Sequence, residues 1–206
     1  MESGIRGCGF AGLICLVLAG GMCLGDEDES FEYWAQFGVA AELNEDWDFK
    51  LGTELKYGDD AGELYCQNVD FGLVYKGIAD WVDFGLMYKR EYQKDGAGDW
   101  RGENRPHLNL TFKGKLLGLD VSDRSRFEFR NREAREDYWR YRNMIKVKLP
   151  WEFTSLKLRP YFAQEFFIDL NAGQYNKNRF YSGLYYKLNE HLGGAVFYLW
   201  ESPKRG

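Results

Sequence analysis

The feature that most constrains this chain is an alternation of apolar and polar residues with a period of two, sustained from Phe31 almost to the end. In residues 47–57, Trp47, Phe49, Leu51, Leu55 and Tyr57 share one parity, while Asp48, Lys50, Glu54 and Lys56 share the other. A helix turns about 100° per residue and would mix these two sets, whereas successive side chains of a strand point to opposite faces of a sheet. The same rhythm recurs in 31–43, 65–76, 82–92, 106–113, 119–132, 139–149, 156–166, 179–188 and 192–201, so about ten strands are expected. Most of these segments are near ten residues long, closer to a tilted membrane-crossing strand than to the usual soluble one.

The connections read as alternating in length. Short turns are expected at 44–46, 77–80, 114–118, 150–155 and 189–191, and longer polar loops at 93–104, 133–138 and 169–175. Short turns on one side and long loops on the other are the habit of outer-membrane barrels, whose short side is periplasmic. Trp47, Trp81 and Trp151 lie beside the short turns, and Trp100, Trp139 and Trp200 near the long-loop ends, a placement expected of two aromatic girdles. Aromatic residues make up 17% of the chain and there are only 4 prolines, which excludes a disordered chain. A net charge of −5 provides no global attraction to nucleic acid, so no nucleic-acid partner is expected, and no protein partner is inferred.

The N-terminal segment differs from the rest. Arg6 precedes an apolar run from Cys8 to Leu18, then small residues end at Cys23-Leu24-Gly25, just before Asp26-Glu27-Asp28-Glu29. This pattern predicts a secretory signal peptide over 1–25, cleaved after Gly25, and a single barrel domain over 26–206. An uncleaved anchor is disfavoured because the run is shorter than a membrane span. A lipoprotein signal at Cys23 is disfavoured because Gly20-Gly21-Met22 is a poor lipobox. Three of the four cysteines lie in this segment, which leaves Cys66 alone in the mature chain, as an inert wall residue, with neither an intrachain disulfide nor a cysteine metal site.

The fold expected is all-β, an antiparallel up-and-down membrane β-barrel of about ten strands in the bacterial outer membrane, with lipid as its surroundings. The competing architecture is a soluble lipocalin-like periplasmic carrier, in which the apolar face would surround an apolar ligand. In the membrane reading the first strand starts, and the last strand ends, on the long-loop side. An even-stranded barrel normally has both termini in the periplasm, so a C-terminal closing strand is expected to be lacking. Truncation of the reading frame is the favoured explanation, ahead of an acidic N-terminal tail threading the barrel and of direct pairing between the first and last strands.

The stretches Asp123-Arg124-Ser125-Arg126-Phe127-Glu128-Phe129-Arg130 and Tyr138-Trp139-Arg140-Tyr141-Arg142-Asn143 carry a family resemblance. It continues through Leu149-Pro150-Trp151, Arg159-Pro160-Tyr161, Gln164-Glu165-Phe166-Phe167 and Asn178-Arg179-Phe180-Tyr181-Ser182-Gly183. The chain resembles the bacterial family known as domain of unknown function, number 2490, over nearly the whole of 26–206. The resemblance implies an outer-membrane β-barrel without an established activity, and it adds no substrate. Members usually continue through a further strand ending in an aromatic residue, whereas this chain ends Trp200-Glu201-Ser202-Pro203-Lys204-Arg205-Gly206.

With the aromatic face toward lipid, the polar face lines the lumen, and the middle of the chain makes that lumen basic. Arg124, Arg126, Arg130 and Arg132 share one strand face, Arg140, Arg142, Lys146 and Lys148 the next, followed by Lys157 and Arg159 and then Arg179. Glu128 and Glu165 are the counter-charges, with Arg140 expected opposite Glu165 and Arg179 near the same carboxylate. Two readings follow: a salt-bridge network filling a narrow barrel, and a basic passage for a small anionic solute. Asp70, Asp83 and Glu91 are expected to face the basic wall across the lumen. A barrel-wall lipid hydrolase is the remaining alternative, but His107 falls on the polar parity and His191 in a turn, and no nucleophile motif surrounds either. No catalytic residue, cofactor or metal is assigned.

Overall fold

The computed structural model describes residues 15–24, 31–58, 60–155, 157–187 and 191–203. Its regular structure consists of eleven strands: β1 (Cys15–Leu24), β2 (Phe31–Glu42), β3 (Trp47–Gly58), β4 (Glu63–Ala79), β5 (Val82–Lys94), β6 (Trp100–Leu116), β7 (Leu119–Arg132), β8 (Tyr138–Lys148), β9 (Arg159–Asp169), β10 (Gln174–Lys187) and β11 (Leu192–Pro203). The ten strands β2 to β11 form one curled antiparallel up-and-down sheet, each paired with the next in sequence. This is the all-β meander that the alternation predicts.

β1 occupies the gap between the two ends of that sheet. It runs antiparallel to β2, with Ala19 opposite Gln36, and parallel to β11, with Ala19 opposite Ala195, and so closes the ring. Cys15–Leu24 falls within the segment read as a leader; residues 1–14 and Gly25 lie outside the described residues, as does the acidic stretch 26–30.

The expected alternation of short turns and long loops is not what the chain adopts. The strands run on into the stretches read as loops, so the connections shrink to 95–99, 133–137 and 170–173. Lys94 pairs with Trp100 and Gln93 with Arg101, because both residues of each pair can extend the ladder. The turn between them is tied by Asp95, whose Oδ1 accepts hydrogen bonds from the backbone N–H of Ala97 at 2.9 Å and Asp99 at 3.1 Å. The longest connection, 149–158, joins β8 to β9 on the side where short turns were expected. Lys157 lies in it with φ 51°, off the strand face to which the sequence reading had assigned it. At the opposite extreme, Leu117 (φ 52°) and Gly118 (φ 81°) make a two-residue turn between β6 and β7. Two successive positive φ values match the twist of a hairpin, and the glycine adopts its value without steric cost.

Parity places the two residue sets on opposite sides. Leu51, Phe71, Leu73, Phe84, Leu86, Leu108, Phe127, Ile145, Phe162 and Val196 are exposed on the outer surface, while Asn68, Glu91, Arg105, His107, Glu128, Arg140 and Glu165 are buried. Aromatic belts mark both ends: Trp47 packs on Tyr75 and Trp81 stacks on Phe112 at one, and Trp139 packs on Phe129 at the other. The apolar core is correspondingly small, a cluster of Trp34, Tyr161, Phe197 and Leu199 inside the sheet.

Candidate functional site: a charged lumen

The inward faces enclose a cavity of about 1420 Å³, lined by fourteen Lys or Arg and six Asp or Glu. Of the predicted basic wall, Arg124, Arg126, Arg130, Arg132, Arg140, Arg142, Lys146 and Arg179 line it. Arg159 does not: it sits at the start of β9, where Nη2 donates to Asp120 at 2.8 Å and Nε to the Leu149 carbonyl at 3.1 Å. Arg132 lies near the other end, where its Nε donates to the Glu136 carbonyl at 2.9 Å.

The two predicted counter-charges are the centre of the network. Glu128, 1% exposed, accepts from Arg140 Nε at 2.8 Å and Arg142 Nη1 at 2.8 Å, with Arg126 Nη1 at 3.5 Å. Glu165, fully buried, accepts from Arg142 Nη2 at 2.7 Å and Arg124 Nη2 at 2.9 Å, and from the Tyr181 hydroxyl at 3.2 Å. Arg142 therefore bridges the two carboxylates. Three guanidiniums against Glu128 and two against Glu165 follow from strand parity, which puts every second residue of β7, β8 and β9 on the same inner wall.

One predicted pairing is wrong. Arg140 stands opposite Asp169 in the β8–β9 ladder, and Glu165 stands opposite Met144. The connection 149–158 is not a symmetrical tight turn, so counting outward from it misplaces the partner strand. Arg179 does stand opposite Glu165, as expected, although its Nε donates to Glu201 at 2.5 Å.

The sequence reading missed a second cluster by assigning 93–104 to a loop. Arg105 bridges Glu91 and Glu103, and Arg130 binds the same Glu103 carboxylate, its Nη2 at 2.5 Å. All four groups face inward on β5, β6 and β7. Of the acids expected across the lumen, Glu91 and Asp70 line the cavity, whereas Asp83 pairs with Lys113 at 2.7 Å outside it. His107 is buried in the inner wall, its Nδ1 3.1 Å from the Arg105 carbonyl, and its Nε2 lies 3.7 Å from Asp70 Oδ1, too far for a hydrogen bond. Cys66 is a buried free thiol of that wall. Among the described residues no group of three or more His, Cys, Asp or Glu side chains is placed to hold a metal ion.

A family model described as Protein of unknown function (DUF2490) matches residues 31–205. The chain belongs to this family. The match takes in β2 to β11 and starts at the first residue of β2, so β1 lies outside it. No curated protein and no solved structure matches the chain. In this DUF2490 chain alternate residues of the strand-borne motifs line the inner wall: Arg124, Arg126 and Arg130 on β7, Arg140 and Arg142 on β8, Glu165 on β9 and Arg179 on β10.

The outer face carries a polar island on β7 and β8. Asn143 donates to Asp123 at 2.5 Å, and Ser125 and the Tyr141 hydroxyl are hydrogen-bonded at 2.9 Å, so these outward polar groups satisfy one another.

Proposed function

We propose that this chain is a non-enzymatic β-barrel protein of the bacterial outer membrane, delivered by a cleaved leader, whose basic lumen forms a narrow passage for small anions. The observation that carries this reading is the inverted polarity of the sheet: apolar side chains cover its outside and ion pairs line its inside. In water such a surface would expose far more contiguous apolar area than a soluble monomer does. In a bilayer it is the required arrangement, with all strand hydrogen bonds satisfied between neighbours. A soluble carrier of an apolar ligand needs the opposite distribution, and a lipid hydrolase needs its histidine at the outer surface, whereas His107 is buried in the inner wall beside Asp70.

Leu86 supplies the test. It is 59% exposed and pairs with Leu73 on one side and Leu108 on the other, in the middle of the apolar band. Leu86→Arg should cost roughly 2–4 kcal/mol if that band faces the hydrocarbon core, but well under about 1 kcal/mol if it faces water. Urea unfolding of both chains in lipid vesicles measures the difference. An unchanged midpoint would overturn the membrane assignment. For the lumen, planar-bilayer conductance of the folded protein should favour chloride over potassium, because the surplus of cations sets the potential inside.

A further inference from the structure

Most of the lumen's cations are held by carboxylates, but Lys146 and Lys148 on β8 are not. Among the described residues no ion pair reaches either Nζ, and the acids nearest to them are already engaged, Asp120 by Arg159 and Glu165 by Arg142 and Arg124. Each ammonium instead lies over a tyrosine ring, Lys146 Nζ 5.1 Å from the Tyr161 centroid and Lys148 Nζ 4.5 Å from that of Tyr185. Cation–π attraction offsets only part of the cost of withdrawing an ammonium from water. Arg124 stands diagonal to Lys146 across the β7–β8 ladder, being opposite Met144. Its Nη2 donates to Glu165, yet its Nε is buried with no hydrogen-bond acceptor.

The wall around these three groups is shaped to leave them room. Ala163 stands opposite Lys146, and Gly183 stands opposite Tyr161. A Cβ at Gly183 would come within 2.8 Å of Tyr161 Cε1, so the missing side chain lets that ring lie against β10. The space in front of Lys146, Lys148 and Arg124 belongs to the main cavity.

We propose that Lys146, Lys148 and Arg124 form a binding site for a phosphate group, free or as an ester. Two ammoniums with rotatable donors line the cavity together with the Arg124 side chain, and a phosphate presents several strongly accepting oxygens with more than one negative charge. A carboxylate would leave at least one of the two ammoniums uncompensated. The site rests on the basic lumen of the reading above and not on its membrane location.

Equilibrium dialysis of the folded full chain in zwitterionic detergent, against labelled inorganic phosphate at constant ionic strength, tests it. Saturable binding is expected, displaced by excess phosphate or phenyl phosphate and not by chloride; the stronger competitor tells a free phosphate from an ester, and either order supports the site. K146Q/K148Q should weaken binding by about tenfold or more, as expected for lost charge-assisted hydrogen bonds. K113Q, which removes a cation paired with Asp83 outside the cavity, should leave it unchanged. In the unaltered chain, phosphate should protect Lys146 and Lys148 from acylation, read by mass spectrometry, which keeps the test independent of variant folding. Absence of saturable binding, binding unchanged in K146Q/K148Q, or acylation of both lysines at the same rate with phosphate present would each overturn the proposal. Retained binding beside a harmless Leu86→Arg would leave the site standing and remove only the membrane.

Discussion

Glu128→Gln is expected to be the most damaging single substitution in the lumen, costing about 3–5 kcal/mol, the usual penalty for removing one partner of a buried ion pair. The change keeps the side chain's size and removes its charge. Arg140 then loses the only carboxylate with which it forms an ion pair among the described residues, and Arg126 keeps only its hydrogen bond to Asn109 at 2.7 Å. Arg142→Ala should cost less although it touches both carboxylates, because Glu128 retains Arg140 and Glu165 retains Arg124. The order of urea midpoints in micelles, with Glu128→Gln below Arg142→Ala, checks this. Equal midpoints for Glu128→Gln and the unaltered chain would mean that lumen water, not the guanidiniums, stabilises the carboxylate. Arg142→Ala and Arg130→Ala should also reduce anion preference in bilayers, so stability and selectivity respond to different members of one network.

The way these ion pairs were and were not foreseen follows from the geometry of a strand. Parity alone decides which face a residue occupies, so the inner positions of Glu128, Glu165 and most of the arginines were legible without knowing a single turn. Partner identity needs register as well. Arg140 was expected opposite Glu165 and stands opposite Asp169, an error of four residues. Because four is even, every side chain stayed on its predicted face while its neighbours changed. The cluster of Glu91, Glu103, Arg105 and Arg130 escaped for another reason. Glycine and charged residues in 93–104 resemble a loop, and only the cross-strand pairing of 100–105 with 89–94 shows that the ladder continues. Parity places Lys148 on the wall, but that no carboxylate among the described residues pairs with it depends on Arg159 having taken Asp120, which no local pattern encodes.

A chain beginning at Asp26 is expected to fold into a protease-resistant barrel as readily as the full-length chain, and the protein recovered from bacterial outer membranes is expected to begin there. β1 lies within the predicted leader, and its sequence Cys-Leu-Val-Leu-Ala-Gly-Gly-Met-Cys-Leu lacks the charged or polar residue at alternate positions that marks the other strands. Its ladder with β11 is the one parallel pairing in the sheet as described, slightly weaker per residue than an antiparallel one. Ten up-and-down strands leave β2 and β11 antiparallel to each other, so the two edges can pair directly once β1 is removed. That is the third of the closures weighed from the sequence, and it meets the demand that no sheet edge stay open in lipid. The family match beginning at Phe31 points the same way, because the shared unit starts with β2. Intact-mass measurement of the membrane-extracted protein fixes the N-terminus, and heat-modifiable migration with limited proteolysis compares the two chains after refolding. Two outcomes would reverse the assignment and make β1 a wall strand: an extracted protein retaining Cys15–Leu24, or a chain from Asp26 that is digested while the full-length chain resists. If both chains are digested and an added amphipathic strand of about ten residues at the C-terminus restores resistance, the closing strand belongs at the other end of the sheet, beside β11.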